Sequence, residues 1–194
     1  GAFGETVRRT TMQMREQIDR HLARARMAAS ANVLGANTPV KPVLARLANA
    51  LERIHAERGI SIIVDCPDEA GFRGEAQDLE EVVGNLLDNA CKWSRGQVGV
   101  RLGSVRGEKG TQLLMRIDDN GPGLSEADAQ KVLRRGVRLD EKTPGTGLGL
   151  DIVKELVDVY GGELELKRSQ LGGLLVELRL PTARLGGLVR SPGN

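Results

Sequence analysis

Residues 81–93 read EVVGNLLDNACKW, and this stretch decides the fold. It lies in a predicted helix, residues 77–94, that turns by about 100° per residue. One side of this helix collects the apolar residues Leu79, Val82, Val83, Leu86, Leu87 and Ala90. The opposite side collects Glu81, Asn85, Asn89 and Lys92, at spacings of four, four and three. Because asparagine is a poor helix former, two of them on one side favour a binding site, although the helix alone leaves an ordinary solvated face open.

The polar side of this helix has the chemistry of a phosphate and magnesium site. Asn85 can offer a carbonyl oxygen to Mg²⁺, an ion that keeps water and phosphate oxygens as its other ligands. Asn89 can donate to a phosphate, and Lys92 adds a compact positive charge. Glu81 lies one turn before Asn85 and can orient or deprotonate a nucleophile or a metal-bound water.

A glycine-rich stretch, DDNGPG at residues 118–123, follows a predicted strand at residues 112–118. Asp119 can accept a hydrogen bond from the amino group of adenine. Gly121 and Gly123 allow the backbone to lie close to a base. The alternative is a plain β-turn, because these residue types are common in turns.

A second glycine-rich stretch, PGTGLGL at residues 144–150, leads into a predicted helix at residues 148–160. Glycine-rich backbone before a helix N-terminus is suited to binding anions. Its candidate contacts are Gly145, Thr146, Gly147, Leu148 and Gly149. The glycine spacing G-x-G-x-G after a long loop argues against a Rossmann fingerprint, and no P-loop motif is present.

Together, E-x-x-x-N-x-x-x-N-x-x-K, D-x-G-x-G and G-x-G-x-G resemble the N box and two glycine boxes of the GHKL superfamily. The stretch DNACKW at residues 88–93 resembles the D-N-A-x-K-[YF] motif of bacterial sensor histidine kinases. Residues 135–145 and LGG at residues 171–173 are similar to PhoQ-type kinases. This resemblance covers most of the chain. It implies the Bergerat ATP-binding fold, an α+β two-layer sandwich with a mixed, mostly antiparallel sheet and helices on one face.

The resemblance also implies a role for each matching residue, with ATP and Mg²⁺ as cofactors. Asn85 ligates magnesium, Asn89 and Lys92 contact phosphates, and Asp119 recognises the adenine amino group. The glycine boxes supply the adenine wall, Gly121 and Gly123, and the lid contacts, Gly145, Gly147 and Gly149. Two lid arginines, Arg135 and Arg138, either face the phosphates as catalytic residues or are solvated lid charges.

Two positions depart from the family pattern. Trp93 stands where tyrosine or phenylalanine is usual, and it can pack beside the nucleotide or in the core. Leu133 stands where the lid of the family carries a phenylalanine. The second departure affects how the lid docks rather than whether the pocket binds ATP.

Three segments are predicted along the chain. Residues 1–38 form part of a dimerisation helix and a linker, residues 39–182 the ATP-binding catalytic domain, and residues 183–194 a flexible tail. The predicted elements of the catalytic domain are helices at 40–58, 77–94 and 148–160, a short helical piece at 126–135, and strands at 60–66, 98–105, 112–118, 163–168 and 174–180. The first segment is predicted to be helical because its apolar residues are spaced by three and four.

The composition limits the classes of ligand and partner that the chain is expected to bind. The net charge of +2, from 28 basic and 26 acidic residues, gives no argument for nucleic acid. Cys66 and Cys91 lack metal-ligand spacing, so small buried thiols are expected. No run of 18 apolar residues is present, so we expect a soluble chain. The resemblance to sensor kinases implies a cytoplasmic domain whose parent protein lies in the bacterial inner membrane. The family implies a response regulator as partner and a homodimeric full-length protein.

The chain contains two histidines, His21 and His55, and neither has the expected sequence context of a phosphoacceptor. We therefore expect a kinase domain that donates the γ-phosphoryl of ATP to a histidine on a dimerisation helix outside this chain. Two alternatives stay open: a GHKL ATPase, in which Glu81 activates water, and a non-catalytic ATP-binding or interaction module.

Overall fold

The structure, a computed structural model, describes residues 36–107, 110–125, 128–129 and 149–184. Within these ranges the helices are α1 (Val40–Ile54), α2 (Ala76–Trp93) and α3 (Gly149–Val159). The strands are β1 (Asn37–Pro39), β2 (Ser61–Asp65), β3 (Ala70–Arg73), β4 (Gln97–Gly107), β5 (Gly110–Asp119), β6 (Glu163–Arg168) and β7 (Leu174–Arg184). A single 3₁₀ turn, Ala56–Arg58, joins α1 to β2.

The strands form one open sheet in the order β1-β3-β7-β5-β4-β2, with β6 also paired to β7. Among the described pairs, β2–β4 is parallel and the others are antiparallel. The predicted α+β sandwich with a mixed, mostly antiparallel sheet is therefore confirmed.

The core lies between the helices and one face of the sheet. All six residues of the predicted apolar side of α2 are buried, at 7% exposure or less. They belong to one cluster with the inward-facing side chains of the three longest strands, which alternate along each strand as a pleated sheet requires. These strand residues include Val98, Val100, Met115, Ile117, Val176 and Leu178.

The predicted helix at residues 40–58 is α1 followed by the 3₁₀ turn. The turn ends at Gly59, whose φ of 62° lies in the left-handed region that glycine adopts easily. The predicted stop at Gly59 is thus confirmed. The predicted first helix and most of the helical piece at 126–135 lie outside the described residues.

The predicted flexible tail is wrong at its start. Strand β7 continues to Arg184, and its last residues pair with β3, with Ala183 opposite Gly71 and Arg184 opposite Ala70. Ala183 is buried. Sequence reasoning missed β3, so the end of β7 had no expected partner. It also missed β1, so the predicted boundary between residues 38 and 39 cuts a strand that pairs with β3.

Helix α3 is tied to α2 at its C-terminal end. The hydroxyl of Tyr160, which follows α3, donates to Asp78 Oδ2 at 2.6 Å and accepts from the N–H of Glu75 at 3.3 Å. The Tyr160 ring also meets Phe72 edge-on, with centroids 4.8 Å apart. These contacts fix α3 along α2, so that its first residue, Gly149, lies beside the middle of α2. In the described stretches, no helix is both long and apolar enough to cross a lipid bilayer.

Candidate nucleotide-binding site

The polar side of α2 lies half-exposed beside the start of α3. The amide nitrogen of Asn85 donates to the backbone oxygen of Glu81 at 2.8 Å. This bond fixes the side chain and directs Asn85 Oδ1 to Gly149, where an added Cβ would lie only 2.7 Å from that oxygen. A carbonyl oxygen is therefore held in place next to a glycine-rich helix start, an arrangement that fits a hard cation shared with phosphate oxygens.

Lys92 makes an ion pair within α2. Its Nζ lies 2.5 Å from Asp88 Oδ2, one helical turn earlier. The other oxygen, Asp88 Oδ1, lies 3.4 Å from His55 Nε2, which comes from the turn after α1. Lys92 is still 31% exposed, so its ammonium is held in one place but is open to an anion.

Asp119 ends β5 as a buried carboxylate, at 3% exposure. Its Oδ1 accepts the N–H of Gly121 at 2.7 Å. Burial raises the pKa of Asp119, while backbone hydrogen bonds from Gly121 and Leu174 act in the opposite direction. An acceptor held in a dry place by backbone donors is suited to a polar N–H group of a largely apolar ligand.

The loop after Asp119 needs its glycines. An added Cβ on Gly121 would lie 2.3 Å from the backbone oxygen of Trp93. Gly123 has a φ of 72°, and its Cβ would lie 2.9 Å from the backbone oxygen of Gly173. The loop is therefore closely packed between the end of α2 and the hairpin that joins β6 to β7. It is not a β-turn that lies free of the rest of the domain.

Sequence reasoning gave this β6–β7 hairpin no role. The N–H of Gly173 donates to the backbone oxygen of Asp119 at 3.1 Å. An added Cβ on Gly173 would lie 2.0 Å from Asp119 Oδ1. Gly173 therefore forms part of the wall around Asp119. The stretch LGG is similar to that of PhoQ-type kinases, but these residue types are also common in tight turns, so the stretch did not predict a contact with Asp119.

Asn120 was also missed. Its Oδ1 accepts the backbone N–H of Arg95 at 2.8 Å and that of Gln97 at 3.2 Å. These bonds join the loop after β5 to the connection between α2 and β4. Trp93, next to this connection, is 42% exposed and so is available to a bound ring.

Several predicted site residues lie outside the described residues: Arg135, Arg138, Gly145, Thr146, Gly147 and Leu148. Their predicted roles stay predictions. The described residues that the structure brings together are those of α2, the loop after β5, Gly149 and the hairpin.

The side chains of the two cysteines belong to the hydrophobic core. Both are buried, and burial raises the pKa of each thiol to about 11. The expected small buried thiols are confirmed.

Comparison with known proteins agrees with this geometry. Residues 74–184 match the family described as histidine kinase-, DNA gyrase B- and HSP90-like ATPase. The chain belongs to this ATPase family. The match includes α2, the loop after β5, α3 and the β6–β7 hairpin, which together hold every described residue of the site.

The relatives are sensor histidine kinases. The chain is 36% identical to the sensor protein kinase CarS of Pseudomonas aeruginosa over 187 residues, which are 96% of this chain and 41% of CarS. It is 36% identical to the virulence sensor histidine kinase PhoQ of Salmonella typhimurium over 164 residues, 84% of this chain and 33% of PhoQ. The chain thus spans less than half of each relative.

Solved structures give the same result. The mycobacterial sensor histidine kinase MprB superimposes with a TM-score of 0.67 at 30% identity, covering 77% of this chain and 99% of that one. The chain therefore carries the ATP-binding domain of a histidine protein kinase, as the motif resemblance predicted.

Proposed function

We propose that this chain binds ATP with Mg²⁺ and donates the γ-phosphoryl group to a histidine of its parent sensor kinase. The observation that carries the proposal is the buried Asp119 carboxylate. It is held by the N–H of Gly121 and enclosed by Gly173, in a domain of an ATPase family. A dry acceptor of this kind fits the exocyclic amino group of adenine.

Phosphate and magnesium binding are assigned to the polar side of α2 and the start of α3. Asn85 Oδ1 would hold magnesium, since the Asn85 amide nitrogen already donates to Glu81. Bound magnesium would neutralise charge on the phosphates. Asn89 would donate to a phosphate, Lys92 would contribute its positive charge, and Glu81 would orient the accepting nucleophile.

The transfer breaks the bond between the γ-phosphorus of ATP and the β–γ bridging oxygen, which leaves with ADP, and forms a bond from that phosphorus to an imidazole nitrogen of the acceptor histidine. Such reactions depend mostly on positioning and on charge stabilisation. We propose that Arg135 and Arg138 stabilise the charge of the γ-phosphoryl group during its transfer. We also propose that the glycines at residues 145–149 contact the phosphates.

The acceptor and the partners belong to the proposal as well. His55 is a poor acceptor, because its ring faces Asp88 and its side chain is only 13% exposed. We propose an acceptor on the dimerisation helix of the parent kinase, a response regulator as the next phosphoryl acceptor, and a homodimeric parent in the bacterial inner membrane with this domain in the cytoplasm.

The test is incubation with γ-labelled ATP and Mg²⁺, with and without the dimerisation domain of CarS as acceptor. We expect label on a histidine of that domain, lost in Asn85→Ala, and no stable label on the chain alone. Stable label on His21 would contradict an external acceptor. Steady ADP release without acceptor, with no label transferred when acceptor is present, would instead indicate an ATPase.

A further inference from the structure

Arg58 reaches from the 3₁₀ turn after α1 to the C-terminal end of α2. Its Nη1 donates to the backbone oxygen of Cys91 at 2.9 Å, and its Nη2 donates to that of Ser94 at 2.9 Å. The last carbonyls of a helix have no partners within the helix and carry partial negative charge. The Cys91 carbonyl lies in the last turn of α2 and also accepts from Ser94 Oγ at 3.2 Å, and Ser94 is the residue that follows the helix. A guanidinium that bonds to both carbonyls therefore fixes this end of α2.

These two carbonyls flank the residues that we assign to the nucleotide. The Cys91 carbonyl belongs to the peptide bond that leads into Lys92, and Ser94 directly follows Trp93. The last turn of α2 also packs against the loop after β5, because the backbone oxygen of Trp93 leaves no room for a Cβ on Gly121. Arg58 thus bonds to the carbonyl oxygen of the peptide that leads into Lys92, and its second bond lies beyond Trp93.

The residue directly before this 3₁₀ turn, His55, also contacts the ion pair of Lys92. His55 Nε2 lies 3.4 Å from Asp88 Oδ1, and Asp88 Oδ2 pairs with Lys92 Nζ at 2.5 Å. Residues 55–58 therefore reach Lys92 by two independent contacts. Arg58 bonds to the backbone before Lys92, and His55 contacts Asp88, the ion-pair partner of Lys92. Neither residue was expected to take part in the site.

We propose that Arg58 is a positioning residue for phosphate binding, which acts by fixing the peptide that carries Lys92. This inference rests on the proposed ATP-binding function. Arg58 touches no nucleotide itself in this account. Its loss should therefore weaken ligands with phosphates more than adenosine, which lacks them.

Titration calorimetry of the chain and its variants, with ATP, ADP and adenosine, tests the proposal. We expect Arg58→Ala to weaken ATP binding about tenfold, equivalent to about 1.4 kcal/mol at 25 °C, and adenosine binding less than about twofold. Arg58→Lys, which has a single ammonium, should fall between Arg58→Ala and the wild type. The matched control is Arg46→Ala, since Arg46 is also an arginine that bonds to α2, but it lies in α1 and pairs with Glu80 near the other end of α2.

A double-mutant cycle makes the assignment to Lys92 specific. In a Lys92→Ala background, Arg58→Ala should weaken ATP binding less than about twofold, because the group that it positions is gone. Circular dichroism melting shows which variants fold. If Arg58→Ala does not fold, the ATP and adenosine affinities of Arg58→Lys test the proposal instead. The proposal is overturned if ATP binding is unchanged in the Arg58 variants, if adenosine is weakened as much as ATP, or if the cycle is additive. Absence of ATP binding to the wild type would instead refute the proposed function.

Discussion

At the scale of single residues, the neighbours Asp118 and Asp119 are both buried, at 3% exposure, yet they do different work. Side chains alternate along a strand, so the two point to opposite faces. Asp118 accepts from Ser169 Oγ at 3.0 Å and pairs with the exposed Arg101 at 3.4 Å. Asp119 instead bonds to the glycine loop at the end of the strand. The motif D-x-G-x-G picks out Asp119 rather than Asp118.

Adenosine binding should weaken as the pH falls. The pKa of Asp119 is raised from its ordinary value of 3.8, chiefly by burial, so protonation begins at a higher pH than in the unfolded chain. The protonated acid loses its acceptor charge, which the adenine amino group needs. Adenosine is used instead of ATP because it has no phosphates that would titrate in this range. Calorimetry between pH 7.5 and 4.5 measures how the affinity for adenosine changes with pH.

The matched variant is Asp119→Asn. It should bind adenosine at least about tenfold more weakly at pH 7.5, because a hydrogen bond to a charged partner contributes about 1.5–3 kcal/mol. Its affinity should also be independent of pH. A slope as steep in Asp119→Asn as in the wild type would exclude Asp119 as the titrating group.

At the scale of elements, α2 and the β6–β7 hairpin differ in what sequence can predict. The period of α2 assigns its residues to a buried and a polar side, because that period is a property of the helix itself. The contact between Gly173 and Asp119 depends instead on the register of β5 with β7, in which Asp118 lies opposite Leu175. No local pattern carries that register, so the hairpin's part in the site needed the structure.

Gly173→Ala should reduce nucleotide binding strongly. The added methyl group would lie 2.0 Å from Asp119 Oδ1 and 2.4 Å from the Asp119 backbone oxygen, so the carboxylate or the hairpin must move. We expect at least about tenfold weaker ATP binding, from loss of the hydrogen bond that Asp119 would make. Calorimetry with ATP measures this.

A matched control for this change is Gly103→Ala in β4, where an added Cβ meets no atom within 4 Å. This variant should bind ATP as the wild type does. Equal affinity in Gly173→Ala and Gly103→Ala would show that the hairpin is not part of the nucleotide wall.

At the scale of the whole molecule, β7 organises the sheet. One of its edges pairs with β5, and the other pairs first with β6 and then with β3. The long strands and helices could be predicted because each has a clear apolar period. The short strands β1 and β3 could not, since they contain three and four residues and depend on neighbours distant in sequence.

Ending the chain after Leu180 should destabilise the domain compared with ending it after Arg184. The shorter chain loses all three β3–β7 residue pairs and the hydrogen bond from Thr182 Oγ1 to Gly71 O, 3.1 Å long. At about 1 kcal/mol for each hydrogen bond, we expect the free energy of unfolding to fall by at least about 2 kcal/mol. Urea unfolding of the two proteins measures the difference, and equal midpoints would mean that residues 181–184 are dispensable.

The most direct test of the central claim is calorimetric titration of the chain with ATP and with GTP, each with Mg²⁺. Guanine has a carbonyl oxygen where adenine has its amino group, so it would face the Asp119 carboxylate with an acceptor. We expect ATP to bind and GTP to bind at least about tenfold more weakly. Equal binding of the two nucleotides, or no binding of ATP, would contradict the account.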